Sequence, residues 1–135
     1  MDPLGAGMNR TILIVDDSET SRMIIRKCFT MTGDEDATFL EAEDGIHALS
    51  TLGSIVVDLV VTDLNMPRMD GLTLLRKLRK GDRTRDLPVV VISSMGNDHL
   101  DQELRDLKVT AIIRKPLTPV KVREAFGSSP DEGGF

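Results

Sequence analysis

The chain has 135 residues, 40% of them hydrophobic, a formal charge of −5 at pH 7, one cysteine and neither Trp nor Tyr. That length supports a single sizeable core and leaves no room for a second folded domain. An acidic balance with no basic block argues against a nucleic-acid surface of its own, and too few aromatics remain for base-stacking platforms. No apolar run approaches the roughly 20 residues that span a bilayer, and the start MDPLGAGMNR has no secretory pattern. A lone Cys28 cannot form an internal disulfide, so a cytoplasmic protein is expected.

Residues 1–9 mix Gly, Pro and small polar residues without periodicity and read as a flexible leader or cloning remnant. The run Thr11 to Val15, TILIV, is β-branched and stops at Asp16 and Asp17, the pattern of a buried first strand. Beyond it, Ser21, Ile24, Ile25, Cys28, Phe29 and Thr32 fall on one helical face, and Gly33 closes that helix. Cys28 on an apolar face reads as a small core residue, since nothing nearby lowers its pKa. Ala37 to Ala42 reads as a second strand. Asp44-Gly45 then opens a helix carrying Ile46, Ala48, Leu49 and Leu52, with His47 among its polar positions.

Leu59 to Thr62 is a third strand leading to Asp63, after which Asn65, Met66 and Pro67 begin a turn ended by Gly71. The following helix carries Leu72, Leu74, Leu75 and Leu78 between Arg76, Lys77, Arg79 and Lys80, four cations that read as a solvated face near the helix C-terminus. Pro88 to Ile92 is a fourth buried strand ending in Ser93-Ser94. A weakly apolar helix over about 98–107 includes His99, read as a solvated side chain. It leads to a fifth strand, Ala111 to Arg114, ending in Lys115-Pro116. A short last helix runs from about Thr118, its N-cap, to Phe126. Residues 127–135, GSSPDEGGF, read as a disordered tail or linker, leaving 10–126 as the folded unit.

Strand and helix alternate five times, which calls for an α/β fold, a parallel sheet covered by helices on both faces. Four of the five strands end in a residue with chemistry: Asp16 and Asp17, Asp63, Ser93 and Lys115. In such sheets reactive groups collect outside the carboxyl ends of the strands. Each has a plain structural use alone, as a cap, a turn or a surface cation. Together they line one edge. Two like charges about 4 Å apart repel by roughly 4 kcal/mol at an effective dielectric near 20, so three carboxylates there call for a cation. Oxygen ligands without His or Cys favour Mg²⁺ over zinc. Asp63 is then a carboxylate nucleophile for phosphoryl transfer, Lys115 neutralises the added charge, and Ser93 donates to a phosphoryl oxygen.

The segments ILIVDDS, VVTDLNMPRMDG, PVVVISS and IIRKP resemble the receiver domain of bacterial two-component response regulators, most closely the CheY-like class. The resemblance covers residues 11 to about 126. It implies the flavodoxin-like strand order 2-1-3-4-5, Asp63 as phosphoacceptor, and Mg²⁺ held by Asp16, Asp17, Asp63 and the backbone carbonyl of Asn65. It further implies Ser93 as the switch hydroxyl, Lys115 as the phosphate-binding lysine and a cis bond between Lys115 and Pro116. The implied donor is a phosphohistidine on a histidine kinase or phosphotransfer protein, with acetyl phosphate as a small substitute. The only chemistry implied is self-catalysed phosphorylation and dephosphorylation of the Asp.

Three residues before Lys115, where CheY-like proteins usually carry Tyr or Phe, stands Ile112. An aliphatic side chain cannot perform the rotation of a flat ring, so that readout is expected to be lost or replaced. Arg114 shares the outward side of the last strand with Ile112 by alternation, and the face of the fourth helix, fifth strand and fifth helix is expected to meet an unknown output protein. Three other readings stay open: a haloacid-dehalogenase-type phosphatase, a phosphate-independent interaction scaffold, and a receiver fragment of a larger regulator. Against the first stands Asn65, where such phosphatases place a second Asp.

Overall fold

A computed structural model of the chain describes residues 9–94 and 96–127. The expected leader and tail lie outside these residues except for Asn9 and Gly127. Five strands, β1 (Thr11–Val15), β2 (Thr38–Ala42), β3 (Leu59–Asp63), β4 (Val89–Ser93) and β5 (Ala111–Arg114), form one parallel sheet in the order β2-β1-β3-β4-β5. The helices between and after them are α1 (Glu19–Met31), α2 (Gly45–Leu52), α3 (Gly71–Lys80), α4 (Asp98–Asp106) and α5 (Pro119–Gly127). The expected topology holds, with element ends shifted by a residue or two.

Side-chain alternation divides the apolar strand residues between two cores. Ile12, Ile14, Val61, Val90, Ile92 and Ile113 face Ile25, Cys28 and Phe29 of α1 and Val122 of α5. Leu13, Val15, Val60, Val89 and Val91 face Ala48 of α2, Leu74, Leu75 and Leu78 of α3 and Leu104 of α4. Both faces of the sheet are thus covered, which is why its three central strands read as unbroken apolar runs. Four helix starts share one device, a side-chain oxygen accepting a backbone N–H three residues on: Ser18 from Ser21, Asp44 from His47, Asp70 from Thr73, Asn97 from Leu100. Thr118 does the same for Lys121 before α5.

Three expectations need correction. Ile24 and Ile46, assigned to buried helix faces, are 46% and 51% exposed. Each lies one step round the helix from the true inward residues, Ile25 on α1 and Gly45 with Ala48 on α2. Arg79 is no solvated cation: its guanidinium donates to the carbonyls of Thr84, Arg85, Leu87, Leu107 and Lys108, sewing the α3–β4 loop to the end of α4. Ile112 and Arg114 do share one side of β5, but that side is half-covered by α4 rather than fully outward, the Arg114 side chain keeping 40% exposure. Ile112 packs against the core that contains Leu104, and Arg114 reaches Asp101 of α4.

Candidate functional site

Parallel register brings the strand-end residues together. Val15 pairs with Thr62 and Asp63 with Ile92, so Asp16, Asp63 and Ser93 succeed one another across adjacent strands. Asp16, Asp63 and Ser93 are 1%, 5% and 2% exposed, whereas Asp17 is exposed at the rim. One carboxylate oxygen from each of Asp16, Asp17 and Asp63 lies within 4.8 Å of the others. Lys115 enters from the end of β5, its Nζ 3.4 Å from Asp63 Oδ1 and 3.8 Å from Asp16 Oδ2. The Lys115–Pro116 peptide is cis, as the resemblance implied.

The backbone around Asp63 is held by the Thr62 hydroxyl, which donates to the Asp63 carbonyl at 2.9 Å, and by the close approach of Gly71. Gly71 donates its N–H to the Leu64 carbonyl at 2.8 Å, and a Cβ on Gly71 would lie 2.3 Å from the Asp63 carbonyl oxygen. No other residue fits there without moving the Asp63 peptide. Asn65 is exposed in the loop two residues past Asp63. Asp16 is fixed by its N–H to the Ala42 carbonyl, by the Ser18 N–H on Oδ1, and by Arg22 Nη1 on its carbonyl. Arg22 also pairs with Glu41. Neither this brace nor the Arg68 to Asp44 pair, which ties the β3–α3 loop to the start of α2, was foreseen from sequence. Partners 6 to 24 residues apart have no periodic signature.

Electrostatically the pocket is incomplete with protein atoms alone. Asp16 Oδ2 is buried and has no hydrogen-bond partner among the described residues. Burial pushes the Asp16 carboxyl up; the Ser18 N–H opposes this, Asp63 adds to it, Lys115 opposes it and Asp17 adds to it. One lysine facing three carboxylates leaves net negative charge. An orphaned oxygen beside two further carboxylates is the donor set of a hard divalent cation, so these residues fit one.

Beside the carboxylates lies a cavity of about 370 Å³ lined by Asp16, Ser21, Ile24, Ile25, Ile92, Lys115, Pro116 and Leu117. Its floor is apolar and its charged members are those of the site. The exposure of Ile24 is explained here, since it walls this cavity rather than the core.

The chain belongs to the response regulator receiver domain family, which it matches over residues 12–126. It is 35% identical over 127 residues to a chemotaxis protein CheY homolog of Campylobacter jejuni, an alignment covering 90% of this chain and 96% of that protein. Its fold is similar to the chemotaxis response regulator CheY4 of Vibrio cholerae, with TM-score 0.76 and 23% identity over 87% of this chain and 95% of that one. It is also similar in fold to the Mn(2+)-bound form of response regulator Rcp1, with TM-score 0.74 and 24% identity over 87% of this chain and 93% of that one. The chain is therefore a CheY-type receiver, a phosphorylation-dependent module of two-component signalling. Among the described residues no helix is long and apolar enough to cross a membrane.

Proposed function

We propose that Asp63 is the phosphoacceptor of this receiver and takes its phosphoryl group from a phosphohistidine on a histidine kinase or phosphotransfer protein. The observation that carries this reading is the buried Asp63 carboxylate at the end of β3, with Lys115 Nζ 3.4 Å from Oδ1. In the transfer a carboxylate oxygen of Asp63 attacks phosphorus in line, the O–P bond forms and the P–N bond of the donor imidazole breaks. Lys115 and the Ser93 hydroxyl meet the charge carried by the transferred oxygens.

Asp16, Asp17 and Asp63, with the Asn65 carbonyl, would hold Mg²⁺, whose charge offsets that of the carboxylates and of the incoming group. The apolar cavity beside Asp16 supports a protein donor, since it offers contact area next to the acceptor; Met23 and Val120 are exposed on α1 and α5. The phosphorylated form signals from the face made by α4, β5 and α5 to an output protein, with Ser93, Ile112 and Arg114 as its switch residues. The work is done in the cytoplasm, and self-catalysed phosphorylation and hydrolysis at Asp63 are its only chemistry.

Incubation with Mg²⁺ and acetyl phosphate, or with beryllofluoride, is expected to shift the amide resonances around Asp63 and Ser93 and to leave Asp63→Ala unchanged. A response that survives Asp63→Ala, or no response to either reagent, overturns the assignment. Turnover of a phosphomonoester would replace it with a phosphatase reading, and partner affinity independent of phosphorylation with a scaffold.

A further inference from the structure

The side of β5 that carries Ile112 lacks an aromatic ring, and a charged pair stands beside it. Arg114 Nη2 donates to Asp101 Oδ2 at 2.7 Å, joining the end of β5 to the first half of α4. The guanidinium lies against Gly96 in the β4–α4 loop: a Cβ there would stand 2.1 Å from Nη2, 2.4 Å from Cζ and 2.7 Å from Nε. Gly96 is three residues past Ser93, and Ser93 is the register partner of Arg114 across β4 and β5. Loop, strand end and helix therefore meet at one side chain.

The pair is also poised rather than locked. It is made by one prong, and both Asp101 Oδ1 and Arg114 Nη1 are buried without a hydrogen-bond partner among the described residues. A two-pronged Arg–carboxylate pair satisfies all of these atoms. In the observed form they have given up water and gained nothing, so a rearrangement that opens the contact recovers hydration for two buried polar atoms. The two strand ends are tied to each other, because the Lys115 N–H donates to the Ser93 carbonyl at 2.9 Å.

We propose that the Arg114–Asp101 pair is a latch holding α4 against β5, and that Gly96 is the point at which the β4–α4 loop releases it. The inference rests on Asp63 as phosphoacceptor and Ser93 as its hydroxyl partner. When Ser93 donates to a phosphoryl oxygen on Asp63, the loop that follows it is drawn with it. Any shift of Gly96 into the guanidinium displaces Nη2 from Asp101, and α4 is freed at its N-terminal half. Arg114 thus acts as a positioning residue in the place where an aromatic ring would otherwise read the hydroxyl's movement. By linkage, whatever the phosphoryl group does to the latch, the latch does in reverse to the phosphoryl group.

The test is a beryllofluoride titration in Mg²⁺ of the wild-type chain, Asp101→Asn, Arg114→Met, their double variant and Gly96→Ala, followed by amide shifts near Asp63 and along α4. Each single variant is expected to bind beryllofluoride about fivefold or more tightly than wild type. The double variant should gain no more than either single one, because both remove the same contact. The α4 shifts of free Gly96→Ala should move toward those of the liganded wild type. Unchanged or weaker binding in the near-isosteric Asp101→Asn, or additive gains in the double variant, overturns the latch while wild-type binding leaves the acceptor assignment standing. If the wild type itself does not bind, the acceptor assignment and the latch fall together.

Discussion

Lys115 Nζ stands 3.4 Å from Asp63 Oδ1 and reaches the site from the last strand of the sheet, so this carboxylate and its counter-charge come from chain segments 52 residues apart (115 − 63). The same ammonium is 3.8 Å from Asp16 Oδ2, which makes it the cation shared by the two buried carboxylates of the site. Two roles follow, and they can be separated. Lys115→Met is expected to lower the rate of phosphorylation by acetyl phosphate about 10²-fold, the usual cost of removing one preorganised electrostatic partner. Mg²⁺ binding should persist or strengthen, because a competing cation has been removed from the carboxylates. With neither Trp nor Tyr in the chain, the binding half is best read from amide shifts in a Mg²⁺ titration. Loss of Mg²⁺ binding in this variant would contradict the charge argument.

The edge of the sheet was legible from sequence because each central strand is an apolar run that stops at a polar residue, and period-2 geometry leaves few ways to arrange five such runs. Asp16, Asp17, Asp63, Ser93 and Lys115 could therefore be assigned to one edge before any coordinate was known. Helix faces were less legible. A 3.6-residue period blurs the boundary of an apolar stripe, and Ile24 entered the α1 stripe although it walls the cavity beside Asp16. Contacts made by long cations were not legible at all. Arg79 reaches carbonyls 5 to 29 residues away, and Arg114 reaches a carboxylate 13 residues back across a helix. Nothing in residue spacing distinguishes either from a surface charge.

Arg79 carries a stability prediction of its own. Its guanidinium serves five carbonyls at 2.7 to 3.3 Å, and burial pulls its pKa down, with Asp86 opposing. Arg79→Met is expected to cost about 2–3 kcal/mol, because carbonyls arranged for a charged donor lose it without all regaining water. Arg79→Lys should recover only part, since a single ammonium cannot span the α3–β4 loop and the end of α4 together. Urea unfolding with an unchanged slope and a lowered midpoint is the confirming result. Wild-type stability in Arg79→Met would mean that the loops hold themselves.

Asp44 contributes to stability on the acid side. It caps α2 by accepting the His47 N–H at 2.8 Å and takes Arg68 Nε at 2.6 Å on its other oxygen. The His47 N–H, with Arg68 in support and burial in opposition, holds its carboxyl below the ordinary value. A folded-state pKa below the unfolded one, about 3.9 for Asp, means that the ionised carboxylate stabilises the fold above that pH. The contribution is lost as pH falls through the depressed folded value. Asp44→Ala should therefore cost about 1 kcal/mol at pH 7, the usual worth of an N-cap, and progressively less below about pH 4. Asp44→Asn should keep the cap at pH 7 and lose only the part that titrates. Because the Arg68 side chain is 60% exposed, Arg68→Ala should cost less than about 1 kcal/mol. Denaturant midpoints of the three variants at pH 7 and pH 3 check the set, and an Asp44→Ala cost equal at both pH values would show that the carboxylate's charge contributes nothing to the cap.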